Sequence, residues 1–332
     1  MRPGSKCLGI IFIYLEKKKM KKLIVILLVT IFTFTALYAN GAAEATATVV
    51  EEEKTVDGSL DKAAFDALVN SGITATDEEI AASQWASAVK KAGVLRVGGT
   101  RTSYLFSQLD ETDNGLRGFD TGLYQLLAKY ILGDASKYEL TQVNSSTRES
   151  VLQSGQVDAV FATYSITEKR KELISFAGPY YTSKQGILVK SNNKDINSVS
   201  DLAGKIVATQ SGSTGTSILA EYAPKATVQE FKTDQEARTA LEQTRVNAYV
   251  TDYTLLLNSV VKNPGVYKIA GEVFGPEDNY GVGLPLGSDG VAFVNAFLQK
   301  LIDNGTWEQL WKITLDDRTG IKEVPNLPVI EK

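Results

Sequence analysis

The sequence predicts an α/β protein made of two lobes, on three observations. From Val94 onward, short β-branched runs alternate with amphipathic helical patterns. Such alternation marks parallel strands joined by crossover helices. After "QGILVK" (185–190) the same texture starts a second time, which calls for a second sheet. A chain of 332 residues, 43% hydrophobic and 22% charged, is long enough to bury two cores of its own.

Each element follows from its own pattern. Residues 60–92 read as a helical prelude: Phe65, Leu68 and Val69 recur at helical spacing. In a second run Thr76 caps a first turn of Asp77, Glu78 and Glu79, and Ile80, Trp85 and Val89 share one face up to a stop at Gly93. "VLRVGG" is then a strand, "GFDTGLYQLLAKYIL" a helix, "YELTQVN" a strand, "STRESVLQSG" a helix closed by Gly155, and "VDAVFATYS" a buried strand. The second block repeats the scheme in "DLAGKIVAT", "TSILAEYAP", "TVQEFKT", "QEARTALEQTR" and "NAYVTD". "YGVGL" and the helical stretch from Val291 to Ile313 close the fold. Ligands of open α/β sheets bind beyond the carboxyl ends of strands, here the loops after Val97, Phe161, Thr209 and Val250.

The N-terminus reads as a signal peptide over residues 1–39. Lys17 to Lys22 (with Met20 among the lysines) precede an apolar run from Leu23 to Leu37 and small residues at Ala39, Gly41, Ala42 and Ala43. The run is short for a membrane span of about 20 residues, and a retained anchor is the alternative. Translation is expected to start at Met20, since a second apolar stretch, Leu8 to Leu15, lies upstream of the lysines. Residues 40–59 read as a flexible linker and 319–332 as a C-terminal tail. An exported protein outside the inner membrane follows.

Composition removes whole classes of function. The net charge is -4 with no basic stripe, so nucleic acid is not expected as a partner. There is no histidine, and the single cysteine, Cys7, falls inside the export segment. Histidine triads, thiolate chemistry and the common zinc ligands are therefore absent, and neither a metal nor a cofactor is expected.

"QVDAVFATYSITEKRKELISFAGPYY" resembles the central signature of the polar amino-acid binding proteins of ABC importers, solute-binding family 3. "GLRGFDTGLYQLLA", "DLAGKIVATQSGSTGT", "YVTD", "YGVGL" and "DNGTWEQLWK" match in the family's order, covering Gly93 to Ile313. The resemblance implies a type II periplasmic binding protein fold with discontinuous lobes. Lobe 1 would take 93–188 plus 279–318 and lobe 2 would take 189–278, joined by hinge strands near Gly186 to Lys190 and Val273 to Tyr280. It implies a non-enzymatic, monomeric protein that captures a free amino acid by lobe closure and hands it to a permease.

The resemblance also assigns residues, and each assignment has a physical basis. Arg170 and Ser165 would hold the ligand's α-carboxylate, a guanidinium gripping it bidentately and a hydroxyl adding a donor. The Thr163 carbonyl and Asp252 would take the α-ammonium, although Asp252 is also placed to cap the helix "YTLLLN". "QSGSTGTS" opens a helix whose N-terminus favours an anion, with Thr214 the contact and Gln210 standing where some relatives carry lysine. Arg101, Arg148 and Ser145 match positions used by acidic amino-acid binders, with helix capping or bracing as the alternative for Arg148. Tyr104 would supply an aromatic wall, while Phe106 reads as core. Two arginines favour glutamate or aspartate, with glutamine the near rival. Two other readings stay open: a periplasmic dehydratase on the same fold, or a sensing domain that presents its bound state to a receptor.

Overall fold

The computed structural model describes residues 58–321 and 329–330. The expected signal peptide, Met20 start and nearly all of the linker, with most of the C-terminal tail, lie outside them. Among the described residues no helix is long and apolar enough to cross a membrane.

The prelude folds as three helices. α1 (Lys62–Asn70) is capped by the Asp61 carboxylate and buries Phe65 and Val69. α2 (Asp77–Ala81) starts with a reciprocal capping box between Thr76 and Glu79. α3 (Gln84–Ala92) ends at Gly93, whose φ of 72° is the left-handed turn that glycine permits. The sequence predicts one helix from Thr76 to Gly93, and the structure breaks it at Ser83. Ser83 caps α3 from within, and the distant Asp289 carboxylate accepts from the Gln84 and Trp85 amides. A tertiary cap of this kind leaves no local trace in the sequence.

β1 (Leu95–Gly99) lies at the centre of the first lobe. A small antiparallel sheet of β2 (Thr102–Ser103), β3 (Ser107–Asp110) and β4 (Gly115–Arg117) follows it. Sequence periodicity does not reveal this flap, because its strands are two to four residues long. α4 (Phe119–Leu132) is apolar nearly all round and buried to match. β5 (Tyr138–Gln142) runs parallel to β1, α5 (Arg148–Gln153) crosses back, and β6 (Ala159–Val160) joins β1 on its other side.

After the short α6 (Glu168–Lys171), the chain enters the 16-residue β7 (Ser175–Lys190). The second lobe then builds β8 (Ile206–Gln210), α7 (Gly215–Tyr222), β9 (Thr227–Phe231), α8 (Asp234–Glu242), β10 (Ala248–Asp252), α9 (Tyr253–Lys262) and β11 (Tyr267–Ile269). β12 (Phe274–Leu284) returns to the first lobe, where α10 (Gly290–Asp303), α11 (Thr306–Trp311) and α12 (Asp317–Thr319) end the described fold.

One sheet path, β5-β1-β6-β12-β7-β10-β8-β9, threads both lobes because β7 changes partner along its length. Ser175 to Ser183 pair antiparallel with β12, whereas Gln185 to Leu188 pair with β10 and Leu188 to Lys190 with β11. The register of β12 against β7 shifts between Phe274 and Asp278, at the same crossing. The cores are separate. The first is rich in aromatic side chains, with Phe106, Phe119, Tyr180, Tyr181, Tyr280 and Trp307 in edge and stacked contact. The second is mainly aliphatic, divided over the two faces of its sheet. α9 belongs to both: Leu256 and Val260 pack into the second core, and Leu255 and Leu257 pack against the first.

Candidate functional site

The crossing strands bring the strand ends of both lobes to one cavity of about 590 Å³. Its wall includes Thr163 and Arg148 from the first lobe and Gln210 and Asn258 from the second. This is where the sequence places the loops after Phe161 and Thr209.

Two arginines are buried beside the cavity on one tyrosine. The Arg148 guanidinium stacks 4.0 Å from the Tyr164 ring centroid and that of Arg170 lies 5.2 Å from it. Arg148 lies at the start of α5, and its Nη1 donates to the carbonyls of Ala162 at 2.9 Å and Thr163 at 3.5 Å. Its Nε is buried without a partner, and among the described residues no carboxylate comes within ion-pair distance of it. Burial, reinforced by the charge of Arg170, brings its pKa down to about 10. Arg170 donates to the Ser165 carbonyl at 2.7 Å and, across the lobes, to the Gly212 carbonyl at 2.9 Å. Its acidic neighbour is Glu149, at 3.5 Å from Nε.

Two carboxylates are buried at the strand crossing. Asp252 ends β10, and its oxygens accept from Gln185 at 2.6 Å and from the Tyr280 hydroxyl at 2.6 Å. It occupies the N-cap position of α9 but makes no capping bond, so the capping alternative is not realised. Asp278, on β12, accepts from Thr214 at 3.1 Å and from the same Gln185 amide at 3.3 Å. Among the described residues neither carboxylate has a cation within ion-pair distance. Burial, then the negative charge of Asp278, pushes Asp252 up to about 7; burial raises Asp278 as well, against the pull of Ser165, Thr214 and Arg170. A third carboxylate, Asp120, lines the cavity and holds the Thr163 amide at 2.9 Å and the Tyr180 hydroxyl at 2.8 Å. Burial pushes it up to about 7.

The residues singled out from sequence divide into three groups. Arg148, Thr163, Ser145 and Gln210 line the cavity. Arg170, Ser165, Thr214 and Asp252 sit in the buried polar network that adjoins it. Arg101 and Tyr104 are brought to neither. The Arg101 guanidinium reaches the Leu140 carbonyl at 3.4 Å, and the Tyr104 hydroxyl donates to the Gly58 carbonyl at 2.7 Å under the Arg318 guanidinium. Phe106 is fully buried in the first core, as its sequence context indicates.

Sequence reasoning passes over Asp120, Gln185, Asp278, Gln108 and Asn258. Asp120 belongs to the recognised "GFD" run, which is the one signal available for it. Among the described residues no group of three or more His, Cys, Asp or Glu side chains is arranged to hold a metal ion.

Comparison with known proteins gives a consistent picture. Residues 95–313 match the family model for bacterial extracellular solute-binding proteins, family 3. The chain is 39% identical to a glutamine-binding protein of Geobacillus stearothermophilus over 59% of its own length and 74% of the relative's. It is 34% identical to a glutamine-binding protein of an ABC transporter from Bacillus subtilis, over 68% of this chain and 82% of that one. Among solved structures, a solute receptor for L-cysteine from Neisseria gonorrhoeae superposes with a TM-score of 0.69 at 25% identity, covering 74% of this chain and 99% of the receptor.

Proposed function

The chain belongs to the bacterial extracellular solute-binding proteins of family 3, and from that premise we propose that it captures a free polar amino acid between its lobes for an ABC importer. It has the two-lobed type II fold of that family and is a binding protein, not an enzyme, as are the relatives it matches. We take the lobes as 93–188 with 279–318 and 189–278, working as an exported monomer behind a cleaved signal peptide.

One observation carries the ligand assignment. Two buried guanidiniums share Tyr164, and two buried carboxylates share Gln185, close enough for the Arg148 charge to act on both acids. Among the described residues Arg148 and both acids lack an ionic partner, and Arg170 has Glu149 at 3.5 Å. An amino acid's head group supplies what each set lacks. Its carboxylate offers oxygens to the arginines and the Ser165 hydroxyl, and its ammonium offers N–H groups to Asp252 and the Thr163 carbonyl. Buried charges left unpaired are costly, so a zwitterion that satisfies both sets binds strongly.

The side chain belongs to the glutamate, aspartate and glutamine group. The acidic preference expected from sequence rested on Arg101 and Arg148, and Arg101 is engaged at the Leu140 carbonyl away from the cavity. With one cation fewer, glutamate loses its advantage over glutamine, the ligand named for the two relatives above. The test is mass spectrometry of small molecules released when the purified protein is denatured, followed by calorimetry with the twenty amino acids. A single free amino acid is expected in both. Absence of any amino-acid binding would sink the proposal.

A further inference from the structure

Away from the two charge pairs, the cavity wall carries Gln108 from β3 of the flap and Asn258 from α9, one residue from each lobe. The Gln108 amide nitrogen donates to the Leu109 carbonyl at 2.8 Å, which fixes its orientation and leaves its Oε1 as the free atom. That oxygen is buried and has no donor. Asn258 is only 5% exposed, and its Oδ1 is likewise buried without a donor. Native proteins keep few such atoms, because a buried acceptor that has left water without a replacement bond costs free energy. Both residues line one cavity, as do Ser103 and Asp234 with an unpartnered buried oxygen each, and together they mark a place that a donor is meant to fill.

The chemistry of that donor follows from what surrounds it. A carboxylate carries oxygens only, so at Gln108 it would set lone pairs against lone pairs. Turning the Asn258 amide would offer it a donor, but Gln108 remains an acceptor for as long as it holds Leu109. Arg101, the cation expected to greet a carboxylate, is at the Leu140 carbonyl, and Lys262, on the cavity wall, lies over the Tyr104 ring at 5.6 Å. For a cationic side chain the wall offers Asp234, which is paired with Arg238, Asp120, which is held by the Thr163 amide and the Tyr180 hydroxyl, and the solvent-exposed Glu111. A primary carboxamide is neutral and brings two N–H groups, one for each oxygen.

We infer that Gln108 and Asn258 form a side-chain subsite that selects a terminal carboxamide over a carboxylate, with L-glutamine as the ligand. This rests on the amino-acid binding reading and sharpens it. Because the two oxygens come from different lobes, the amide would be read only when the cleft is closed, which ties selection to closure.

The experiment is calorimetric titration of L-glutamine, L-glutamate and L-arginine into the native protein, Gln108→Met and Asn258→Leu. The native protein should prefer glutamine to glutamate by a hundredfold or more, since a site built to bond a group rejects an analogue that lacks it. Each variant should cut that ratio at least tenfold, by weakening glutamine and leaving glutamate nearly unchanged. Native preference for glutamate or arginine overturns the inference while amino-acid binding stands. So does native-like glutamine affinity in both variants. If the native protein binds no free amino acid, the inference falls together with the reading beneath it.

Discussion

The strand crossing beside the cavity and the flap side of its wall are built from different materials. At the strand crossing the protein places whole charges: Arg148 and Arg170 on one tyrosine, Asp252 and Asp278 on one glutamine. On the flap side, where Glu111 and Lys262 also line the wall, the buried oxygens of Gln108 and Asn258 are neutral amide groups. Under the proposed reading, the first would match the head group that every amino acid shares, and the second would meet the part that differs. Charge pairs in a dry site are strong and insensitive to the rest of the ligand, so they supply affinity. Neutral hydrogen bonds are individually weaker, yet an unmade one is penalised, so they supply discrimination.

That contrast can be broken most directly at Arg170. Its loss would leave the ligand carboxylate unpaired in a closed site, a change of about 3–5 kcal/mol, or at least a hundredfold in affinity at about 1.4 kcal/mol per decade. Arg170→Ala should therefore weaken glutamine and glutamate alike in calorimetry, with the fold intact by circular dichroism. Unequal losses would mean that the charged end also reads the side chain.

A smaller effect should come from pH. The Asp252 carboxyl, raised to about 7, must be ionised to pair with an ammonium, and Asp278, Gln185, Tyr280 and Arg148 surround it. Affinity should fall about tenfold per unit as pH drops below about 7, as the competent fraction shrinks. In Asp252→Asn the affinity should be lower and the profile flatter; an unchanged slope would move the titration elsewhere. The unliganded protein should respond in the opposite sense. A carboxyl raised from its unfolded value near 4 keeps its proton longer in the native state, so Asp252 and Asp120 withdraw stability as pH rises from about 4 to about 7.

The smallest effect is expected at Arg101. Its guanidinium reaches only a carbonyl outside the cavity, so Arg101→Ala should stay within about 0.5 kcal/mol of native, roughly threefold or less. The glutamate-to-glutamine ratio should not move in paired titrations. A selective loss of glutamate would return Arg101 to the site and restore the acidic ligand.

Legibility in the sequence followed locality. β1, α4, β5 and β8 to β10 each carry their own period, and the "SITEKR" and "YVTD" runs deliver Arg170, Ser165 and Asp252 to the site's network. The first half of β7 is less visible, because Gly178, Pro179 and the polar Thr182 to Lys184 interrupt its pattern. Asp278 and Gln185 are 93 residues apart and meet only because β7 and β12 pair at the crossing, which no local window contains. The side-chain direction of Arg101 is hidden for a related reason: a position after a strand fixes the backbone, not the direction of a long side chain. Here the neighbouring strand offers the Leu140 carbonyl, and the guanidinium takes it.

The double allegiance of α9 has a calorimetric consequence. Leu255 and Leu257 rest on the first core while Leu256 and Val260 are locked into the second, so parting the lobes would wet two leucines. Under the proposed lobe closure, opening would be a small unfolding reaction in thermodynamic character, with a positive heat-capacity change, and closing would reverse it. Whatever enthalpy the ligand's own hydrogen bonds contribute, the observed binding heat must become more exothermic on warming, in proportion to the fraction of molecules that were open before the ligand arrived.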